Sequence, residues 1–265
     1  MIMNYSGKDT ISAIGGFVKG KIPTVSNPNL LINPDFRINQ RAFKGIQFPS
    51  DLKHIYYTVD RWAVQPGQGM IVNSDGTVTI YGGCIQKIEK DVGDNVTASV
   101  GVVSGSAVAN YDPQTKTFSI TTDGESAIIS WAKLEIGSAA TAFLPPDPAT
   151  ELLKCMRYYE IIMSANCDRA MPASLRPDLK GEIDFQFKIP KRAIPSLVPD
   201  TLRFVIATSK GYSTTNLSVQ KFASDINGMC LITVDTVLTE LPTNLLSVTV
   251  DTWKSGALAV DAEIY

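Results

Sequence analysis

Apolar and polar residues alternate in short runs along most of the chain, the pattern of β-strands with one buried face. Residues 181–189 alternate most cleanly, and residues 57–64 do so as well. The dipeptide Asp75-Gly76 separates two further runs and is typical of a tight hairpin turn. Because such runs recur at roughly ten-residue spacing with turn residues between them, the pattern predicts an all-β sandwich or jelly roll.

A proline-rich segment interrupts this pattern near the middle of the chain. Residues 144–148 (Leu-Pro-Pro-Asp-Pro) cannot form a helix and predict an extended linker. After them, apolar residues at helical spacing predict a short helix over ~150–163, capped by Asp147 or Thr150. The predicted organisation is a jelly-roll domain and a β-rich domain joined by this helix.

The predicted domain boundaries follow from these signals. They are an N-terminal anchoring arm at 1–28, a carbohydrate-binding-like jelly-roll domain at 29–146, and a helix plus β-rich C-terminal domain at 147–265. Glycines and prolines punctuate the arm, while a few apolar residues recur at near-helical spacing. The arm could therefore dock onto a neighbouring subunit or be a frayed terminus.

Composition and charge exclude several classes of partner. The chain is 44% apolar and 19% charged, with a formal net charge of −2, so a nucleic-acid partner is not expected. The basic residues at 188–192 are interpreted as a solvated strand end. No run approaches the ~20 apolar residues of a membrane span. Nor does the N-terminus have the pattern of a signal peptide, so the chain is expected to be made in the cytosol.

Residues for catalysis or metal binding are sparse. The single histidine is His54, and no nucleophile motif or phosphate-binding loop is present. The scattered cysteines predict buried free thiols rather than a zinc site; they are Cys84, Cys155, Cys167 and Cys230. No cofactor is expected, although loop oxygens around Asn33, Asp35 or Asp60 could hold a calcium ion. A polysaccharide depolymerase using paired carboxylates remains a remote alternative.

Several segments resemble a known family of proteins. Residues 29–41 (NLLINPDFRINQR) and 57–62 (YTVDRW) look like two signatures of the carbohydrate-binding-like domains in bacteriophage tail-fibre and virion appendage proteins. The segment 131–159 resembles the last strand of that domain and its exit, and 187–195 and 261–264 resemble the module that follows. The chain is shorter than the family pattern between Glu89 and Asn95.

The resemblance implies a non-enzymatic structural protein of the virion, made in the host cytoplasm. It implies a homotrimer that contacts other virion proteins through the arm and a host glycan or protein through exposed loops. Capsid decoration, a head fibre or a collar subunit is the purely architectural alternative. Neither nucleic-acid binding nor membrane insertion is expected.

Aromatic and charged residues supply the candidate sites within this framework. Trp62 and Trp131 are predicted in the core of the jelly roll, with Asp60 and Arg61 forming an ion pair beside the indole of Trp62. Tyrosine and tryptophan offer a flat apolar face and a polar edge, which suits stacking on sugars. The candidate ligand-binding residues are Tyr56, Tyr57, Tyr81, Tyr212 and Trp253.

Overall fold

The computed structural model describes residues 26–46, 55–163, 171–198, 201–251 and 257–263. These residues form antiparallel β-sheets and one short helix. The strands are β1 (Gly45–Ile46), β2 (Tyr56–Tyr57), β3 (Ala63–Val64), β4 (Gly69–Val72), β5 (Val78–Lys87), β6 (Val96–Asp112), β7 (Thr117–Ile136), β8 (Tyr159–Met163), β9 (Met171–Leu175), β10 (Gly181–Gln186), β11 (Ser196–Val198), β12 (Thr201–Thr208), β13 (Gly211–Ser224), β14 (Gly228–Thr233), β15 (Leu245–Asp251) and β16 (Leu258–Asp261). The helix, α1, is Pro148–Met156.

Strands β1 to β7 form one antiparallel sheet. Its path runs β1-β4-β5-β3-β2, and β7 pairs with both β5 and β6. Tyr81 and Gly83 of β5 flank a register shift. Gly83 has φ +151°, and a Cβ there would lie 2.3 Å from the carbonyl oxygen of Ile120. Glycine therefore allows β5 to bend closely against β7.

The second half of the chain forms two smaller sheets. Six strands close into a barrel in the order β10-β14-β13-β12-β15-β9, with Gly181 of β10 paired with Leu175 of β9. The other sheet has the order β11-β16-β8. It pairs the strand after the helix with the last strand of the described chain, in register Tyr159 to Asp261.

The helix is shorter than the sequence pattern predicts. The carboxylate of Asp147 caps it by accepting from the backbone N–H of Thr150, 2.8 Å away. Helix α1 ends at Met156, and the predicted extension to 163 is wrong because Tyr159–Met163 is strand β8. Aromatic and β-branched residues favour strands, and here pairing with β16 outweighs the helical spacing.

Two separate groups of buried apolar residues form the core. One lies within residues 31–134 and includes Trp62 and Phe118. The other lies within residues 163–260 and includes Phe204 and Leu231. The predicted domain boundaries stay predictions, and most of the predicted arm, residues 1–25, lies outside the described part. The described residues include no helix with the length and hydrophobicity needed to cross a membrane.

Candidate functional site: a buried ionic junction

Charged and aromatic side chains from widely separated segments meet where the first sheet contacts the β11-β16-β8 sheet. The segment before β1 and the loop between β2 and β3 supply one group, the end of α1 and the start of β8 supply a second, and the end of the described chain supplies a third. We call this cluster the junction; it consists of Gln40, Arg41, Asp60, Arg61, Tyr158, Tyr159, Asp261 and Glu263.

Arg61 is the central cation of the junction. It is 1% exposed, and its guanidinium donates to the carboxylate of Glu263 and, at 2.5 Å, to the carbonyl oxygen of Lys87. The guanidinium carbon lies 3.6 Å from the centre of the Tyr158 ring. Arg61 has φ +72°, a costly conformation for a long side chain. The surrounding contacts therefore hold this residue in a strained backbone conformation.

Arg41 forms the second ionic contact. Its Nη1 lies 3.0 Å from Asp261, and its Nη2 lies 3.7 Å from Glu263. Its guanidinium carbon also lies 3.8 Å from the centre of the Tyr159 ring. Both arginines thus combine an ion pair with stacking on a tyrosine, the geometry for which the flat guanidinium is suited.

No cationic side chain among the described residues pairs directly with the buried carboxylate of Asp60. Its carboxylate accepts from the Gln40 side chain at 2.7 Å and from the Gln40 backbone N–H at 3.2 Å. Burial raises the pKa of Asp60 to about 7, partly opposed by the hydrogen bond from Gln40 and the charge of Arg41. Burial likewise raises the pKa of Glu263, opposed by Arg61 and Arg41.

Asn33 organises the loop that carries Gln40 and Arg41. Its amide donates to the carbonyl oxygens of Ile38 and Asp60, and its side-chain oxygen accepts from the N–H of Ile38. Its backbone N–H donates to Glu151 of α1 at 2.7 Å. Asn33 has φ +55°, which asparagine tolerates better than most residues. One residue therefore joins two loops and the helix.

A second buried ion pair fixes the exit from β7. Lys133 and Glu135 are fully buried, 3.1 Å apart. The ammonium of Lys133 also donates to the hydroxyl and carbonyl oxygens of Thr141, and Glu135 accepts from the Thr141 backbone N–H at 2.8 Å. The pair anchors the segment that leads from β7 to α1. This explains physically why two charged residues occupy buried positions near the end of β7.

Lys191 corrects another prediction from the sequence. The basic residues at 188–192 were interpreted as solvated, but Lys191 is 1% exposed. Its ammonium donates to Glu160 at 2.5 Å and to the carbonyl oxygen of Met156 at 2.6 Å, at the end of α1. The solvated interpretation fits Lys188, whose side chain is 59% exposed.

A cleft of about 410 Å³ lies beside the junction. Its lining is mostly apolar, with several charged groups at the rim, and includes Leu30, Ile32, Arg61, Lys87, Ile88, Glu89, Val92, Lys154, Arg157 and Tyr158. Glu89 receives hydrogen bonds from Arg157 at 2.8 Å and from the hydroxyl of Tyr158 at 2.7 Å. Lys154 lies 3.0 Å from Glu151. Much of the basic charge at the rim is therefore paired within the chain.

The predicted ligand-binding aromatic residues are not brought together. Tyr56, Tyr57 and Tyr81 lie in the first sheet and are half-buried, and Tyr57 lies 5.4 Å from the guanidinium of Arg41. Tyr212 lies on the barrel and is 79% exposed. Trp253 falls outside the described residues. Tyr212 is therefore the most open of the described candidates.

The predicted core residues fall into two groups. Trp62 and Asp60 are 0% exposed, and the indole N–H of Trp62 donates to the carbonyl oxygen of Asn33 at 2.7 Å. Trp131 is only half-buried, so its predicted core position is corrected. Its ring stacks on Phe143 with ring centroids 4.9 Å apart.

The ion pair predicted between Asp60 and Arg61 is also corrected. Arg61 pairs with Glu263, whereas the carboxylate of Asp60 accepts a hydrogen bond from Gln40. The true partner lies 202 positions away, too far for the triplet alone to reveal it. The only available signal was that residues 261–264 belong to the same resemblance.

One group of potential metal ligands is found among the described residues. Glu182, Asp184 and Cys230 place ligand atoms within 4.8 Å of one another on the barrel, but Glu182 already lies 3.3 Å from Arg176. At the sites considered for calcium, the side-chain oxygens of Asn33 and Asp60 already accept hydrogen bonds from Ile38 and Gln40. Asp35 pairs with Arg37 at 3.1 Å.

No protein-family model, no curated protein and no solved structure matches this chain. The junction is therefore interpreted from its own chemistry. Its ionisable groups are largely buried and engaged with one another. These contacts link the first sheet with the β11-β16-β8 sheet.

Proposed function

We propose that this chain is a non-enzymatic structural protein of a bacteriophage particle, a tail fibre or surface appendage that mediates attachment to the host and assembly of the particle. In this proposal the first half of the chain is a carbohydrate-binding-like jelly roll. The chain acts in the virion after synthesis in the host cytoplasm. It works as a homotrimer that contacts other virion proteins through its N-terminal arm.

The observation that carries the proposal is the convergence of the resemblance segments. Arg41, Arg61, Tyr158 and Glu263 come from four separate segments that resemble the phage family, and they contact one another in one buried cluster. Short sequence segments that resembled a family only by chance would have no reason to contact one another in the structure. The convergence supports a resemblance in architecture as well as in sequence.

The junction also suggests where attachment does not occur. Its arginines and tyrosines are occupied by each other, so the residues that carry the resemblance hold the two β-rich units together. Attachment then depends on exposed residues elsewhere, and Tyr212 offers the most open aromatic side chain. A single shallow contact binds a glycan weakly, and three copies in a trimer would strengthen attachment through avidity.

Labelled purified protein and a panel of bacterial strains test this proposal. We expect saturable binding to at least one strain, lost when the surface polysaccharide is stripped, and weakened by Tyr212→Ala. Leu241→Ala is the matched control, because Leu241 is also exposed, at 61%, but has no aromatic face. Binding that survives stripping indicates a protein receptor. Absence of binding to every strain that the parent phage infects contradicts a role in attachment.

The architectural alternative is a capsid decoration, head-fibre or collar subunit. The half-buried positions of Tyr56, Tyr57 and Tyr81 favour it, because they leave few exposed aromatic residues in the described part of the chain. Co-purification with other virion proteins, without binding to host cells, would support this alternative over attachment.

A further inference from the structure

Strand β6 has a long free edge without the usual protection. The strand spans 17 residues, and within the described part of the chain it pairs along one side only, with β7. From Val96 to Tyr111 it contains no charged residue and no proline. Edge strands of monomeric proteins normally carry charges or prolines, because an open edge pairs with other strands. The backbone N–H and C=O groups on the free edge of β6 can therefore pair with another strand.

The middle of β6 also exposes apolar side chains. Residues 102–106 are all exposed, and Val102, Val103 and Val108 are 40%, 59% and 53% exposed. A single exposed valine needs no explanation, but three within seven residues of this edge strand expose apolar side chains along its middle. We call these valines together with the free edge of the strand the β6 surface.

The β6 surface is incomplete in another respect. Register shifts near Gly101 and Gly105 bend the strand, so that residues of both halves line one cavity of about 330 Å³, among them Val96 and Tyr111. The hydroxyls of Ser99 and Tyr111 are buried and have no hydrogen-bond partner among the described residues. Buried polar atoms are nearly always paired, so the packing of β6 leaves two hydroxyls unsatisfied among the described residues.

We propose that the β6 surface is an interface between copies of this chain. An uncharged strand can lie beside its own copy without opposing like charges, whereas a partner selected by charge would need a charge on β6. Two antiparallel copies of one strand are also complementary in their backbone donors and acceptors, which gives a twofold contact in addition to the threefold contacts of the proposed trimer. The net charge of −2 adds little repulsion between copies.

Lysine substitutions test the interface on the full chain without threatening the fold. Val103→Lys and Val108→Lys each place a charge on an exposed position, so the monomer keeps its stability, which thermal unfolding checks. Leu246→Lys is the matched control, because Leu246 is 69% exposed but lies on the barrel. Mass is measured by sedimentation velocity from nanomolar to tens of micromolar protein.

We expect the wild type and the Leu246→Lys control to self-associate. Each β6 variant should associate more than about tenfold more weakly, because an unpaired charge would be buried in the interface. Hydrogen exchange should show protected amides in β6 of the wild type that lose protection in Val103→Lys. A wild type that stays monomeric throughout, or an oligomer unaffected by both substitutions, overturns the proposal. Protected β6 amides in a monomer also overturn it, since another part of the chain would then cover the edge. The measurement is independent of binding to host cells.

Discussion

The Arg61 guanidinium donates to the Glu263 carboxylate across 202 positions of sequence, with both side chains buried. Desolvating two charges is expensive, and their attraction compensates only when the contact geometry is good. Here the stacked Tyr158 ring and the carbonyl oxygen of Lys87 add to the contacts of Arg61. The pair therefore specifies how the end of the chain packs against the first sheet.

Removing one partner of this pair should be severe. Arg61→Met leaves Glu263 buried without its main counter-charge, and we expect a loss of about 3–5 kcal/mol in the free energy of unfolding. Chemical denaturation of the wild type and the variant measures the change. The matched control is Arg37→Met, because Arg37 is 60% exposed in its pair with Asp35, and exposed pairs contribute about 0–1 kcal/mol.

The double variant Arg61→Met/Glu263→Met separates the pair from its surroundings. It should lose less stability than the sum of the two single variants, because it leaves no unpaired charge. Additive losses would show that Arg61 and Glu263 act independently, contrary to this account.

Asp60 should make stability depend on pH. Its pKa is about 7 in the folded chain, against an ordinary value of 3.8. Between these values the folded state keeps a proton that the unfolded state has lost, so this group makes the protein less stable as pH rises. The slope is about 1.4 kcal/mol per pH unit, and it levels off above pH 7.

Asp60→Asn isolates this contribution because asparagine does not titrate. The difference in unfolding free energy between the wild type and Asp60→Asn should change steadily between about pH 4 and pH 7 and then stay constant. Glu263 remains in both proteins, so most of its own pH dependence is subtracted. A difference that does not vary with pH would show that Asp60 is ionised in the folded chain throughout this range.

Close packing against Trp131 should make Gly101 intolerant of a side chain. A Cβ at this position would lie 2.2 Å from Nε1 of the indole, so we expect Gly101→Ala to cost about 1–3 kcal/mol through displacement of the ring. Gly124→Ala is the control, because no atom lies within 4 Å of its Cβ position. Thermal unfolding distinguishes them, and equal effects would contradict the observed packing.

The described thiols should react slowly in the native protein. Burial raises the pKa of Cys84 and of Cys155, and burial together with Asp184 raises that of Cys230 to about 12. The thiolate is the reactive form, so alkylation at neutral pH should leave Cys84 and Cys155 unmodified until the chain unfolds. Half-buried Cys230 should react first of the three. Peptide mass spectrometry measures this order, and rapid labelling of Cys84 would contradict it.

The strands were more predictable than the junction. Alternation at 181–189 and the Asp75-Gly76 turn depend on neighbours in sequence, and β10 and the β4–β5 hairpin lie at these positions. The end of α1 was missed because pairing of β8 with β16 is a long-range contact. Lys191 was missed for the same reason, since its partner Glu160 lies on β8, 31 positions away. Sequence patterns carry local periodicity, whereas buried charge pairs depend on the final packing.

Calorimetry of the purified chain tests the central claim, that the junction joins the two β-rich units into one cooperative structure. We expect the wild type to unfold in a single transition whose calorimetric and van't Hoff enthalpies agree. Arg41→Met/Arg61→Met should split this transition into two, because each unit keeps its own apolar core. Two transitions already present in the wild type, or a single transition retained by the double variant, would contradict the claim.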